Sequence, residues 1–164
     1  MNKMLGLLLA VGFCLTTGFA HAEDMVVAAG KKIKFDYTLT VDKNVVETSQ
    51  GKQPLEYNPG RGELIAGLEK EMLGMKVGES KTVIVKPQDG YGLVREDAFR
   101  DFDRSKLPKD VEPKVGMVLE MQDENGTAFP ASVAAVNEKT VRLDFNHPLA
   151  GKELKFDVKV VSIE

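Results

Sequence analysis

The sequence of 164 residues has few of the side chains that most often carry catalysis: it contains one cysteine, Cys14, two histidines and no tryptophan. Because Cys14 has no partner, no disulfide can form within the chain. After residue 22 the sequence has a single histidine, His147. One histidine is too little for a nucleophilic triad or a zinc site, and no acidic loop has the spacing of a calcium-binding hand. We expect no metal and no cofactor.

The first 22 residues have the pattern of a secretory signal peptide. Lys3 precedes an apolar run over residues 4–19, and Ala20-His21-Ala22 provides the small residues of a cleavage site. The alternative is a membrane anchor, but about 16 apolar residues interrupted by glycines fall short of the roughly 20 that span a bilayer. We predict cleavage after Ala22 and a periplasmic protein with no membrane segment.

Removal of residues 1–22 leaves 21 basic and 25 acidic side chains, a formal charge of −4. It also removes Cys14, and an exported chain without a thiol cannot exchange disulfides, so its stability must come from a hydrophobic core. The charges are mixed along the chain and form no basic patch, so nucleic acid is not an expected partner. The remaining 142 residues suit one domain or two small ones.

Hydrophobic patterns predict a strand-rich chain with one principal helix. In KKIKFDYTLTV, residues 31–41, every second side chain is apolar, which is typical of a strand with one buried face. Leu64, Leu68 and Met72 recur at intervals of four and predict a helix with one apolar stripe, ended by Gly74. Similar alternation predicts further strands at 81–86, 115–121, 133–136, 141–145 and 154–160. We predict an α+β fold with mostly antiparallel strands.

The composition changes after Gly90-Tyr91-Gly92. Residues 93–114 are dense in charge, show little periodicity and contain two prolines, which is typical of a domain boundary. Beyond this segment Asn125-Gly126 predicts a hairpin turn, because both residues tolerate positive φ. With Thr127 the pair also fits a glycosylation sequon, and we interpret it as the tip of the hairpin.

The glycines of NPGRGELIAGLEKEMLGMKVGES, residues 58–80, approach the fingerprint of a dinucleotide site. Ile65, however, occupies the position that needs the third glycine, and no apolar strand leads into Gly60. We therefore reject a dinucleotide site.

Proton transfer has little support in the sequence. Asp36, Glu47 and Asp89 lie near apolar segments, but their spacing does not distinguish an acid–base pair from solvated side chains. What remains is a set of apolar and aromatic residues near glycine-rich turns, which suits peptide binding or a reaction without proton transfer. Prolyl isomerisation is such a reaction, because its barrier of about 18–20 kcal/mol comes from the double-bond character of the amide. A dry pocket favours the less polar twisted state.

Four sequence segments follow one another along the chain: GELIAGLE at 62–69, GMKVGE at 74–79, GYG at 90–92 and FNHPLAGK at 145–152. Together they resemble the FKBP-type peptidyl-prolyl cis-trans isomerases of the SlyD-like branch. The resemblance covers nearly all of the chain after residue 22. It implies an FKBP-like antiparallel half-barrel sheet around a short helix, with a β-rich domain inserted in the flap beside the active site.

The resemblance also implies the order of domains. After the signal peptide, residues 1–22, the FKBP domain would begin at residue 23 and be interrupted by a chaperone domain that holds unfolded polypeptide. The predicted divisions are 23–96 for the first part of the FKBP domain, 97–144 for the insert-in-flap domain and 145–164 for the final part.

A substrate cleft with aromatic and aliphatic walls is a further implication of the resemblance. Its catalytic positions fall on Tyr37, Ile65, Tyr91 and Phe156. Its substrate-binding positions fall on Val46, Glu47, Leu55, Leu64 and Leu68. Each position also fits an ordinary core or turn residue.

Ile65 has a second implied role, because a backbone N–H near the start of a helix can lack an intrahelical acceptor and donate to a substrate carbonyl. The nearby glycines would let the helix end approach a bound peptide. Two residues depart from the family, which often has aspartate at the position of Glu47 and, in many members, tryptophan at that of Leu68. The sequence ends at Glu164 without the histidine-rich tail of some relatives, a further reason to expect no metal.

We therefore predict an exported isomerase that accelerates X-Pro isomerisation in folding proteins and binds unfolded clients through its inserted domain, as a monomer. The alternative is a non-catalytic holdase chaperone or peptide-binding module. An unrelated secreted hydrolase would need a catalytic dyad that the sequence does not provide.

Overall fold

The computed structural model describes residues 25–107, 111–122 and 125–164, so the predicted signal peptide lies outside the described residues. Within these ranges no helix is long and apolar enough to cross a membrane. Three short 3₁₀ turns span Pro87–Asp89, Glu96–Ala98 and Arg104–Lys106. The strands and the α-helix are β1 (Ile33–Val41), β2 (Asn44–Thr48), β3 (Leu55–Tyr57), α1 (Ala66–Met72), β4 (Ser80–Val85), β5 (Phe99–Asp103), β6 (Val118–Gln122), β7 (Ala128–Val136), β8 (Thr140–Asp144) and β9 (Leu154–Ile163).

The first sheet has the order β2-β1-β9-β4, and β3 also pairs with β1. All of its pairs are antiparallel. The apolar alternation of residues 31–41 forms β1, whose Ile33, Phe35 and Leu39 are buried. Asp42 and Lys43 both have positive φ and join β1 to β2 in a two-residue turn. The predicted α+β class with antiparallel strands around a short helix is confirmed.

The helix α1 is shorter than the apolar stripe predicted. It begins at Ala66, because Ile65 has extended backbone angles (φ −62°, ψ 140°) and occupies the N-cap position. Leu64 and Ile65 therefore precede the helix instead of forming its first turn. The buried Leu68 and Met72 cover the inner face of the sheet. Gly74 follows the helix with φ +82°, as predicted.

Gly67 lies where α1 meets β4. A Cβ atom at this position would stand 2.6 Å from Cγ1 of Val85, closer than two carbon atoms approach. The absent side chain thus permits α1 to pack on β4. This corrects the expectation that the glycines near Ile65 all serve the approach of a peptide.

The second sheet has the order β5-β8-β7-β6, again antiparallel. Its β5 falls in the charge-rich segment where no strand was predicted, and β7 begins five residues before the predicted 133–136. Pro130 lies in β7 ahead of Ser132, the first residue that pairs with β8. A proline lacks the N–H that a strand bonded on both sides requires, so it is tolerated at this position.

Two chain segments join the sheets, and they hydrogen bond to each other. The Gly151 N–H donates to the Gly92 carbonyl at 2.8 Å, and the Phe145 N–H donates to the Ala98 carbonyl at 3.1 Å. The side chain of Asn146 accepts from the Arg95 N–H at 2.9 Å and donates to the Arg95 carbonyl at 3.1 Å. The outgoing and returning segments are therefore fixed side by side next to Tyr91.

Candidate functional site

A cleft of about 440 Å³ opens between the inner face of β1 and β9, the segment before α1, and Tyr91. Its size falls within the range of small-ligand pockets, and most of its lining is apolar or aromatic. The lining residues are Phe35, Tyr37, Leu39, Glu47, Leu55, Gly62, Glu63, Leu64, Ile65, Leu68, Tyr91 and Phe156.

The structure brings together all four residues that the sequence predicted as catalytic. Of the predicted substrate-binding residues it adds Glu47, Leu55, Leu64 and Leu68 to the same cleft. It does not bring Val46 into this group. The β1–β2 register pairs Leu39 with Glu47 and Thr40 with Val45, so Val46 is an extra residue in a bulge and is 51 % exposed.

The back wall of the cleft is part of the hydrophobic core. Phe156 is buried on β9 opposite Leu39 of β1, and Leu68 is buried on α1. The rings of Phe35 and Tyr37 lie 5.9 Å apart, within the range of favourable aromatic contacts. These side chains are held by packing on two strands and a helix, so the wall is rigid before any ligand binds.

The phenol of Tyr37 is kept neutral by its surroundings. Burial raises its pKa to about 12, with help from hydrogen bonding to the Glu47 carboxylate, from the charge of that carboxylate and from the nearby Tyr91 phenol. Tyr37 is therefore a hydrogen-bond donor throughout the physiological pH range and not an acid or base. Glu47 faces the cleft because the bulge at Val46 sets its register.

The backbone N–H of Ile65 is a donor without an acceptor among the described residues. Its carbonyl accepts the N–H groups of Leu68 and Glu69, both at 3.1 Å, as expected for an N-cap residue. The loop before it is fixed by Glu63, whose carboxylate accepts the Asn58 N–H at 2.8 Å. That hydrogen bond also lowers the pKa of Glu63. The cleft thus presents largely apolar walls and, at Ile65, a main-chain donor.

Four lining residues were not predicted: Phe35, Leu39, Gly62 and Glu63. Phe35 and Leu39 stand two residues to either side of Tyr37 on β1, and the period of a strand places all three on one face. That signal was present in the sequence. For Glu63 the signal was absent, because its contact with Asn58 depends on how the loop folds.

Another depression on the described part of the chain has a different lining. A depression of about 510 Å³ beside the β2–β3 loop is lined mainly by polar side chains such as Asp36, Lys52 and Asp157. In the part of the chain that the structure describes, no three His, Cys, Asp or Glu side chains are grouped to hold a metal ion.

Comparison with known proteins gives consistent matches. A family model described as FKBP-type peptidyl-prolyl cis-trans isomerase matches residues 23–161. The short-type peptidyl-prolyl cis-trans isomerase of Methanocaldococcus jannaschii is 37 % identical over 154 residues, covering 85 % of this chain and 95 % of the relative. The FKBP-type isomerase SlyD of Treponema pallidum is 35 % identical over 140 residues, covering 85 % of this chain and 79 % of the relative.

Proposed function

The chain belongs to the family of FKBP-type peptidyl-prolyl cis-trans isomerases, and we propose that it is exported, isomerises X-Pro bonds in the cleft and holds unfolded clients with residues 97–144. The single observation that supports the proposed site best is the convergence of Tyr37, Ile65, Tyr91 and Phe156 on one cleft. The family resemblance implies all four positions, and they come from two strands, the start of a helix and a turn.

The cleft accelerates rotation by favouring a twisted amide over a planar one. A planar prolyl amide is polar and well hydrated, whereas the twisted state has lost conjugation and is less polar. Walls made of Leu68 and Phe156 exclude water and therefore stabilise the twisted state relative to the planar one. Each 1.4 kcal/mol of this difference gives about a tenfold increase in rate, and no proton is transferred.

Hydrogen bonds orient the substrate in the cleft. The Ile65 N–H, which has no acceptor among the described residues, donates to a substrate carbonyl and fixes one side of the prolyl bond. Tyr37 donates to Glu47, so the Glu47 carboxylate has a hydrogen-bond donor within the cleft. The substrates are accordingly proline-containing polypeptides with an apolar prolyl segment.

Client binding by residues 97–144 is supported by an edge strand and by the apolar side chains near it. In the described ranges β6 pairs only with β7, so its outer edge is free to take up an extended segment of another chain. Val115, Met117 and Val118 are 69 %, 41 % and 61 % exposed. A depression of about 310 Å³ beside β6 includes Phe129. Unfolded polypeptide offers both the backbone groups and the apolar side chains that such an edge binds.

Export is supported by the pattern of residues 1–22 and by the contacts of Val27, which lies after the predicted cleavage site. Val27 is buried, its N–H donates to the Met75 carbonyl at 2.8 Å, and its carbonyl accepts the Gly74 N–H at 2.9 Å. Cleavage after Ala22 would leave this anchor intact. The mass of the protein recovered from the periplasm of an expressing bacterium should correspond to a chain that begins at Glu23; an uncleaved chain in the cytoplasm would contradict export.

Refolding of a protein limited by an X-Pro bond tests catalysis against the alternative of a non-catalytic holdase. The uncatalysed step takes roughly 10–100 s at 25 °C, and catalytic quantities of this chain should shorten it. If only stoichiometric quantities act, and they suppress aggregation without shortening the slow phase, the holdase interpretation is the right one.

The insert is tested by deleting residues 97–144 and joining the ends with a short turn. The deletion keeps Arg95 and Asn146, whose hydrogen bonds hold the two ends together. Because a second binding site raises the effective concentration of client at the cleft, the deletion should reduce catalysis on an unfolded protein about tenfold or more. Catalysis on a short prolyl peptide should change much less, and equal losses on both substrates would contradict a client-binding role.

A further inference from the structure

Tyr91 is the most exposed of the four residues predicted as catalytic. It follows the 3₁₀ turn at Pro87–Asp89, belongs to no strand or helix, and is 38 % exposed. Phe156, by contrast, is 5 % exposed, and Tyr37 packs against the main core. Backbone hydrogen bonds from Gly90 and Gly92 to the Pro87 carbonyl fix the turn but do not involve the Tyr91 side chain.

The ring of His147 lies flat against the ring of Tyr91. Their centroids are 3.8 Å apart and the planes differ by 4°, so the two rings lie face to face with little lateral offset and are in van der Waals contact over most of their area. Among the described residues no other aromatic ring contacts that of Tyr91. His147 does not line the cleft itself; it lines a neighbouring groove between the two sheets, where Tyr91 is the residue common to both.

His147 is held in a fixed position by its own segment. Its Nδ1 atom accepts the Leu149 N–H at 3.1 Å, and its carbonyl accepts the Ala150 N–H at 2.8 Å. Leu149 packs against the main core. On the other side of His147, Asn146 is hydrogen bonded to Arg95. The imidazole is therefore held in a fixed position against the ring of Tyr91, a residue that is exposed and belongs to no strand or helix.

We propose that His147 is a positioning residue for the isomerase reaction: by stacking on Tyr91 it holds that ring at the mouth of the cleft. It touches neither the substrate nor the prolyl bond, and it acts only through Tyr91. The inference rests on the proposed role of Tyr91 in the cleft. It assigns a function to a histidine that acid–base or metal chemistry leaves unused.

Three substitutions separate the two contacts of His147 in the full chain. His147→Ala removes the ring and the acceptor, His147→Phe keeps a flat ring, and His147→Asn keeps an acceptor for the Leu149 N–H. With a short prolyl peptide, His147→Ala and His147→Asn should each lower kcat/KM about three- to tenfold. His147→Phe should stay within about twofold of the unsubstituted chain. Because His147 is exposed, we expect all three variants to remain folded, which the denaturation midpoint checks.

Tyr91→Ala supplies the matched control. Once Tyr91 is absent, adding His147→Ala should cause no further loss, because the two residues act as one unit. Losses that multiply in the double variant overturn the proposal. The proposal is also overturned if His147→Asn keeps the activity and His147→Phe loses it, because the hydrogen-bond acceptor for the Leu149 N–H would then be required and the ring would not.

A spectroscopic measurement makes the test independent of turnover. Ring stacking shifts the NMR signals of the Tyr91 ring protons, and these signals should move in His147→Ala and stay nearly in place in His147→Phe. An unchanged Tyr91 spectrum in His147→Ala overturns the proposal whatever the activity. An inactive unsubstituted chain with the expected spectrum would instead contradict the proposed function, and the role of His147 in catalysis with it, while the contact between the two rings would be supported.

Discussion

The two sheets of this protein are built with cores of very different depth. Among the described residues, the first, with β1, β9 and the helix α1, buries sixteen hydrophobic side chains in one cluster, whereas the second, β5–β8, buries four. The second also exposes large apolar side chains at Val115, Met117 and Val118. A cleft that must hold aromatic rings in place needs the deep core, and a surface that accepts many unfolded chains needs apolar groups left in water. The difference in depth thus matches the difference in proposed task.

The largest expected effect is the loss of stability when a buried leucine is replaced by alanine, and it can be compared between the two cores. Leu154 and Leu143 are both fully buried. Leu154→Ala should cost about 4–5 kcal/mol and Leu143→Ala about 2–3 kcal/mol, because a thin layer collapses more easily around the cavity that is left. Hydrogen exchange of amides in β1 and in β7 measures the opening free energy of each sheet separately. Equal costs would contradict the unequal depth of the two cores.

A smaller effect, confined to the first sheet, is expected at alkaline pH. Burial, assisted by the charge of Glu69, raises the pKa of Tyr57 to about 12, and Tyr37 is shifted to about 12 as well. In an unfolded chain tyrosine titrates near 10. Below pH 10 both states keep the proton and stability is unaffected; between about pH 10 and 12 only the unfolded state loses it, so stability falls as the pH rises.

The second sheet has no tyrosine, since all three lie at positions 37, 57 and 91. Alkaline pH should therefore destabilise the deep core more than the second sheet. For Tyr57 the loss is on the order of 2 kcal/mol by pH 12. Tyr57→Phe should remove that part of the decline, and Tyr91→Phe is the control because its exposed ring contributes no buried phenol. A decline that Tyr57→Phe does not reduce would contradict the assignment.

Sequence patterns were most informative where one face of an element is buried in the deep core. The alternation of Ile33, Phe35 and Tyr37 predicted β1 because burial on one face produces a period of two. In the second sheet the same rule predicted β6, β8 and part of β7 but missed β5, whose sequence is FRDFD and which lies at an edge with its side chains exposed or only partly buried. Its pairing with β8 depends on backbone groups that any residue provides. The charge-rich segment was therefore interpreted as a domain boundary, and no strand was predicted in it.

The residues of the cleft were likewise predicted best where they lie on regular strands and helices. Residues on regular elements, such as Tyr37 and Leu68, were predicted because the resemblance fixed their positions along the chain and the elements fixed their faces. Val46 was misplaced because a bulge adds one residue to β2 and turns its side chain out of the cleft. The Tyr91–His147 stack was not predicted, since the two residues are distant in sequence and meet only where the segments between the sheets run side by side.

The smallest expected effect on stability concerns Val118, on the free edge strand β6. Its side chain is 61 % exposed, so Val118→Ser should change the free energy of unfolding by no more than about 0.5 kcal/mol. Binding of an unfolded client should nevertheless weaken about threefold to tenfold, because one exposed aliphatic contact is worth roughly 0.8 kcal/mol per buried methylene. Fluorescence anisotropy of a labelled unfolded client measures the affinity.

Ile84 provides the matched control for Val118. It is 50 % exposed on β4, the edge strand of the first sheet, and Ile84→Ser removes a comparable apolar group from a comparable edge. If exposed apolar groups bind clients wherever they occur, both substitutions weaken binding equally, and the two sheets do not differ in task. If the thin sheet is the client-binding surface, only Val118→Ser weakens binding, and catalysis on a short prolyl peptide is the same in both variants because neither residue lines the cleft.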